Sequence, residues 1–319
     1  MNSGKSNPIE VVNEETRKSS RHGVLYGLAA YTAWGSFPLF FKALHGAMPL
    51  EIVAHRIFWA AVYLMILSLL TRQIGVIRKT VKDRICLLTL CGSTLLIATN
   101  WLTFLYAIQA DQVLQSSLGY FMTPLVSVLL GCLVLRERLN RLQTVSVLLA
   151  LAGVLNLSLQ HGTVPWISLI LAGTFGLYGL LRKMARVDAM AGLTVETALL
   201  APVALGYIGY LASQQQSAFL AGSLRLDLLL PLSGVVTATP LLAFVGAARR
   251  LRMITIGFLQ YITPSLHFVL AVFLYRETFT AAHLASFLCI WSALVCYSLD
   301  ALLARRHRPA APELDAAAS

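Results

Sequence analysis

From residue 23 onward the chain is a succession of apolar stretches, each long enough to cross a bilayer, and little else can be built from such a sequence. Ten stretches fall near the roughly 17–25 residues that a tilted transmembrane helix needs. They are 23–41, 51–71, 85–107, 113–135, 142–159, 165–181, 191–213, 226–246, 253–275 and 280–299. The gaps are short, so no soluble domain is inserted. A water-exposed surface would need far more charge than the 12% of residues that carry it here, against 57% that are hydrophobic. The runs are continuous, not the alternating segments of about 10 residues that barrel strands show. Within lipid every backbone polar group needs an internal partner, which leaves helices. The fold class expected is an all-α membrane protein of ten transmembrane helices.

Basic residues alternate between connections. They cluster as Lys5, Arg17, Lys18 and Arg21, then Arg72, Arg78, Lys79, Lys82 and Arg84, then Arg136, Arg138 and Arg141. Further on come Arg182, Lys183 and Arg186, then Arg249, Arg250 and Arg252, and finally Arg305, Arg306 and Arg308. The intervening connections hold only Lys42, Arg225 and Arg276. The positive-inside rule then puts both termini in the cytoplasm and makes the span count even. The net charge of +11 thus records insertion orientation and gives no reason to expect nucleic acid. Residues 1–22 and 301–319 read as disordered cytoplasmic tails. The first apolar stretch lacks a cleavage signature and reads as a retained helix.

A weak internal repeat emerges at long period. Tyr120-Phe121-Met122-Thr123-Pro124 is similar to Gln260-Tyr261-Ile262-Thr263-Pro264, at an offset of 140, and Arg136-Glu137 matches Arg276-Glu277 at the same offset. Upstream the offset is nearer 141, pairing Phe37-Pro38-Leu39 with Tyr178-Gly179-Leu180 and His55-Arg56 with Glu196-Thr197. Two halves of five spans, 23–160 and 161–300, must cross the membrane in opposite senses. That is an inverted repeat, an architecture typical of secondary transporters.

Charged groups inside spans are the leading site candidates, because each is expensive in lipid. Arg56 in the second span is an anchor for an anionic group or a gate residue. Glu196 in the seventh is a proton or cation site. The alternative for both is a structural link or a snorkelling side chain. Their depths differ, so a direct ion pair between them is not expected.

One face of the fourth span carries Tyr120, Pro124, Ser127 and Gly131, and its counterpart in the ninth carries Gln260, Pro264, His267 and Ala271. Such a stripe either lines a cavity or packs helices closely through small residues. His267 adds a possible titrating group. Tyr31, Trp34 and Pro38 share a face of the first span, and Phe175, Tyr178 and Arg182 one of the sixth. Asn100 and Trp101 sit deep in the third span, opposite Pro240 in the repeat. Pro38, Pro124, Pro240 and Pro264 are expected to kink their helices and free a carbonyl each.

Nucleotide-binding, zinc-protease and nucleophile-elbow motifs are missing, so neither ATP-driven transport nor enzyme chemistry is expected. The five cysteines form no CxxC pair and read as packing residues. No cofactor or metal is called for.

Taken as a set, Trp34-Gly35, Phe37-Pro38-Leu39, Ala54-His55-Arg56, Asn100-Trp101, Ser117-Leu118-Gly119-Tyr120, Leu177-Tyr178-Gly179-Leu180-Leu181-Arg182-Lys183 and Thr194-Val195-Glu196-Thr197 resemble the RarD proteins of the EamA family, within the drug/metabolite transporter superfamily. The resemblance covers about residues 23–300. It implies a bacterial inner-membrane permease built from two EamA repeats, acting on a small-molecule substrate. The function expected is a secondary transporter, an exporter of a small metabolite or drug working by alternating access. A passive channel or a non-transporting membrane receptor is the alternative. Trp34, Arg56, Asn100, Trp101, Tyr120, Tyr178 and Gln260 are the expected lining, with Glu196 or His267 coupling to protons if coupling exists. The fifth and tenth spans are expected at the periphery or at a homodimer contact.

Overall fold

A computed structural model describes residues 8–110, 113–159, 166–274 and 281–306. Regular structure among them is entirely helical. In chain order the helices are α1 (Pro8–Gly35), α2 (Phe37–Ala43), α3 (Pro49–Leu70), α4 (Ile74–Lys82), α5 (Arg84–Gln109), α6 (Val113–Leu133) and α7 (Arg141–Leu159). They continue as α8 (Trp166–Met184), α9 (Ala189–Ser213), α10 (Leu224–Arg250), α11 (Met253–Gln260), α12 (Ile262–Val269) and α13 (Ala281–Arg306), with a π-helical turn at Leu270–Leu274 after α12.

Six helical segments among the described residues are long and apolar enough to cross a membrane: Ser19–Ala43, Pro49–Leu70, Arg84–Phe104, Trp166–Met184, Ala189–Ser213 and Leu224–Arg250. Leu118–Leu133, Arg141–Asn156 and Leu284–Asp300 are shorter apolar helices. The stretch expected as the ninth span is broken into α11, α12 and the π turn. Many apolar side chains point away from the protein, among them Leu88 (71% exposed) and Val203 (74%). Lipid accommodates such a surface where water would not.

Several local features differ from expectation. Residues 8–22, expected as a disordered tail, are helical: α1 starts at Pro8, a residue preorganised for a first turn, and runs on through good helix formers. At the other end α13 continues past residue 300 to Arg306. The basic connection after the second span folds into α4, with Lys79 and Lys82 in its last turn, where cations favour the helix dipole. Arg276-Glu277, half of the expected repeat, lies outside the described residues.

The chain forms two compact units. The larger holds residues 1–137 and 164–278. Within it α1 packs on α10, α10 on α3, α3 on α9, α5 on α8, α8 on α6, and α6 on α11. The smaller unit, residues 138–163 and 279–319, is built on the pairing of α7 with α13, the fifth and tenth expected spans. Asn140 Nδ2 and Gln143 Nε2, at the start of α7, donate to the two oxygens of buried Asp300 at 2.7 and 2.8 Å. Farther along α7, Asn156 Nδ2 donates to Ser286 Oγ at 2.8 Å, near the start of α13. The two helices are therefore antiparallel.

Candidate functional site

Arg56 projects from α3 in the larger unit. Its Nε donates to Thr237 Oγ1 of α10 at 2.8 Å. Its guanidinium carbon lies 4.8 Å from the ring centre of Phe41, 5.7 Å from Trp101 and 6.0 Å from Phe37. Aromatic faces attract a cation at these separations without neutralising it. No carboxylate pairs with Arg56 among the described residues, and the side chain is only half-buried. The cation beside Glu196 among the described residues is Arg182.

A run of rings leads inward. Tyr120, 40% exposed, meets Phe104 at 6.2 Å and His267 at 5.9 Å. The Nε2 of His267 donates to the Trp34 carbonyl at 3.1 Å. That carbonyl is free because Pro38, four residues on, has no N–H to bond it. The same proline, in the first turn of α2, accompanies the break between α1 and α2 at Ser36. Trp34 then meets Tyr31, Phe175 and Phe244 at 5.5–5.6 Å, and Tyr178 stacks on Phe244 at 6.1 Å.

Tyr178 connects this cluster to a buried polar knot. Its hydroxyl donates to Glu196 Oε2 at 3.3 Å. Ser93 Oγ of α5 donates to Glu196 Oε1. Arg182 of α8 places Nη1 3.6 Å from the same oxygen, with neither charged side chain more than 2% exposed. Arg182 Nη2 also donates to the Ala189 carbonyl at 3.3 Å. Arg182, grouped by sequence with the basic residues after the sixth span, is thus a buried residue of α8. Gly192 of α9 makes the room: a Cβ there would run into the Arg182 guanidinium. The glycine permits a cation where any other residue would exclude it.

The connections at this end of the larger unit are tied by charge as well. Glu137 accepts from the Met253 N–H at 2.8 Å and the Ile254 N–H at 3.0 Å, capping the first turn of α11. Lys183 Nζ donates to the carbonyls of Ala248 and Leu251, at the C-terminus of α10. Each charge sits at the helix end whose dipole favours it.

The stripes on the fourth and ninth spans face each other. Ser127 Oγ of α6 donates to Gln260 Oε1 of α11 at 2.8 Å, both buried. At Gly257 a Cβ would stand 2.7 Å from the Pro124 carbonyl oxygen. This is close packing at Gln260 and Ser127, while Tyr120 and His267 of the same stripes join the aromatic run. Asn100 likewise serves a helix contact: its Nδ2 donates to the Leu171 carbonyl at 2.9 Å and Thr174 Oγ1 at 3.0 Å, tying α5 to α8. Pro264 lies just past the break at Tyr261 that separates α11 from α12, while Pro124 and Pro240 sit inside continuous helices.

Thr237, Phe244 and Phe41 were not expected at the site. Each is a common residue in an apolar run, and only the packing of α10 and α2 beside Arg56 and Trp34 distinguishes it.

The profile of the EamA-like transporter family matches residues 21–159. An uncharacterized transporter of Vibrio cholerae is 44% identical over 292 residues, covering 90% of this chain and 95% of its own. The chain belongs to the EamA-like transporter family. Among its relatives, protein RarD of Escherichia coli is 40% identical over 290 residues, 91% of this chain and 98% of its own. A chloramphenicol-sensitive protein RarD of Pseudomonas aeruginosa is 33% identical over 285 residues, 88% and 95% of the two chains. One crystal structure superposes with a TM-score of 0.67 at 19% identity, over 90% of this chain and 99% of that one, which shows a shared fold. This EamA-like protein is accordingly a multi-pass membrane transporter.

Proposed function

We propose that this transporter is a secondary permease that exports a small metabolite or drug-like molecule by alternating access. In this reading ten spans form two inverted five-helix repeats, residues 23–160 and 161–300, in a bacterial inner membrane with both termini cytoplasmic. The observation that carries the reading is the contrast between the charges of α3 and α9. Arg56 is half-buried, walled by aromatic rings and without a carboxylate among the described residues. Glu196, one position from the repeat counterpart of Arg56 in α9, is buried and closed over by Arg182, Ser93 and Tyr178. One end offers a cation to an incoming anionic group while the other is sealed, as a carrier in a single-sided state requires. By the positive-inside rule the sealed end faces the cytoplasm.

The test begins with a metabolite-wide thermal-stability screen on the purified protein. Compounds that stabilise it are then followed in proteoliposomes. Saturable uptake with counterflow is expected, and Arg56→Ala is expected to abolish the stabilisation by anionic compounds. Flux without saturation or counterflow would establish a passive channel instead. Equal stabilisation of wild type and Arg56→Ala by every accepted compound would remove the anchor role.

A further inference from the structure

Among the described residues, the buried or half-buried acids and imidazoles on the membrane helices of the larger unit are Glu51, His55, Glu196, Asp227 and His267. Glu196 is paired with Arg182. His267 donates to the Trp34 carbonyl. Glu51 and His55 stand one turn apart at the start of α3, and each is 1% exposed. Each keeps one polar atom without a partner: Glu51 Oε2 and His55 Nε2.

Their remaining atoms fix the protonation chemistry. The indole N–H of Trp59 donates to His55 Nδ1 at 3.1 Å, so that nitrogen is an acceptor and the imidazole proton sits on Nε2. A further proton cannot enter at Nδ1 without breaking the Trp59 bond. Glu51 Oε1 accepts from Ser217 Oγ and the Ala218 N–H, both at 2.8 Å, and from the Phe219 N–H at 3.4 Å. That oxygen is occupied, and Oε2 is the free basic position. Phe219 also lays its ring against His55, 4.9 Å between centres. Glu51 therefore fastens the α9–α10 connection to α3, and its free oxygen faces a buried environment.

The surrounding charges do not satisfy it. Tyr207 of α9 is within electrostatic reach of Glu51. At the first turn of α10, Asp227 accepts from the Leu220 N–H and Arg225 donates to the His45 carbonyl. Arg56, next along α3, is bonded to Thr237.

We infer that Glu51, with His55 beside it, is the proton-binding site of this transporter, and that proton uptake there unlatches the α9–α10 connection from α3. The coupling role rests on the reading of the protein as a secondary permease. A proton passes from hydronium, which is left as water, to Oε2, and no other covalent bond of the protein is made or broken. The carboxylate loses its charge, and its charge-assisted bonds to Ser217 and Ala218 weaken to neutral ones, roughly halving their strength. The latch is firm when Glu51 is ionised and loosens when it is protonated. α3 also carries Arg56, whose partner Thr237 belongs to α10, so the same movement reaches the anion site.

Hydrogen exchange on the full-length purified protein tests the latch with the proton itself as the probe. Protection of the Ala218 amide, corrected for intrinsic exchange, is expected to fall about tenfold between a pH at which Glu51 is ionised and one at which it is protonated. In Glu51→Gln it is expected to be low at both values. Ser217→Ala, which removes one donor and keeps the carboxylate, is expected to move the midpoint to higher pH. His55→Gln is expected to shift it as well. Protection independent of pH in the wild type overturns the proposal, as does an unchanged pH response in Glu51→Gln or in Ser217→Ala. If the pH response is present but no compound stabilises the protein or is transported, the permease reading falls and the latch stands. Transport by a protein without the response overturns the latch alone.

Discussion

Arg182 Nη1 lies 3.6 Å from Glu196 Oε1, and neither side chain is more than 2% exposed. The separation exceeds a hydrogen bond, and Arg182 Nε and Nη1 have no hydrogen-bond partner. The pair is thus held by charge and by its surroundings more than by direct bonding. Desolvating two ions offsets much of their attraction, so the contact resists the loss of one partner more than it adds net stability.

Removing one charge should therefore be worse than removing both. Arg182→Leu or Glu196→Leu alone is expected to destabilise the protein by about 3–5 kcal/mol, and the double variant by clearly less than their sum. Thermal unfolding in detergent reads the cycle, and additive losses would show that the two residues act independently.

Gly192→Ala places a methyl group against the Arg182 guanidinium. Overpacking of this kind costs about 1–3 kcal/mol. Arg182→Leu, which takes away the obstructing group, should make the alanine far better tolerated. The same melting measurements decide it, and an equal penalty in both backgrounds would place the strain elsewhere.

Glu137→Ala leaves the first amides of α11 uncapped, and Lys183→Met leaves the last carbonyls of α10 without their cation. Losses of about 0.5–2 kcal/mol are expected for the cap and of about 0.3–1 kcal/mol for the dipole partner. Faster hydrogen exchange should be confined to residues near 248–256. A loss spread over the whole larger unit would argue against a local capping role.

Thr237→Val removes the hydrogen bond from Arg56 Nε to Thr237 Oγ1. Stabilisation by an anionic ligand is expected to weaken about five- to tenfold, the equivalent of about 1–1.5 kcal/mol. Arg56→Lys keeps the charge but not the planar, bonded geometry and should retain only part of the binding. Full binding by the lysine variant would reduce Arg56 to a point charge.

Orientation can be tested on either side of α3. With the five native cysteines replaced, a cysteine at Lys79 and one at Gln215 should react with an impermeant thiol reagent from opposite faces of the membrane. Residue 79 is expected to be shielded in intact cells. Labelling of both from outside would overturn the inverted arrangement.

What the sequence makes legible is whatever depends on residues near each other in the chain. Apolar runs mark the helices because a run is local. Arg56 stands out because a charge amid such a run has to be tolerated by something. The partners are another matter. Gln260 looked suited to a cavity because its hydrogen-bond acceptor had no visible use, yet Ser127 reaches it from 133 residues away. Arg182 reads as one more cation at a helix end, and only the space above Gly192 turns it inward. Glu51 opens α3 like an ordinary first-turn acid, and its role depends on three donors of a connection more than 160 residues downstream. The path from α3 to that connection is set by packing, which hydropathy does not encode.

The pairing of α7 with α13 has a consequence for biogenesis. The first partner leaves the ribosome long before the second, since the whole of α8–α12 is synthesised in between. Throughout that interval Asn140 and Gln143 lack the Asp300 carboxylate they will eventually hold, and Asn156 lacks Ser286. The side-chain amides of Asn140 and Gln143 thus meet their carboxylate only when the last helix has been made.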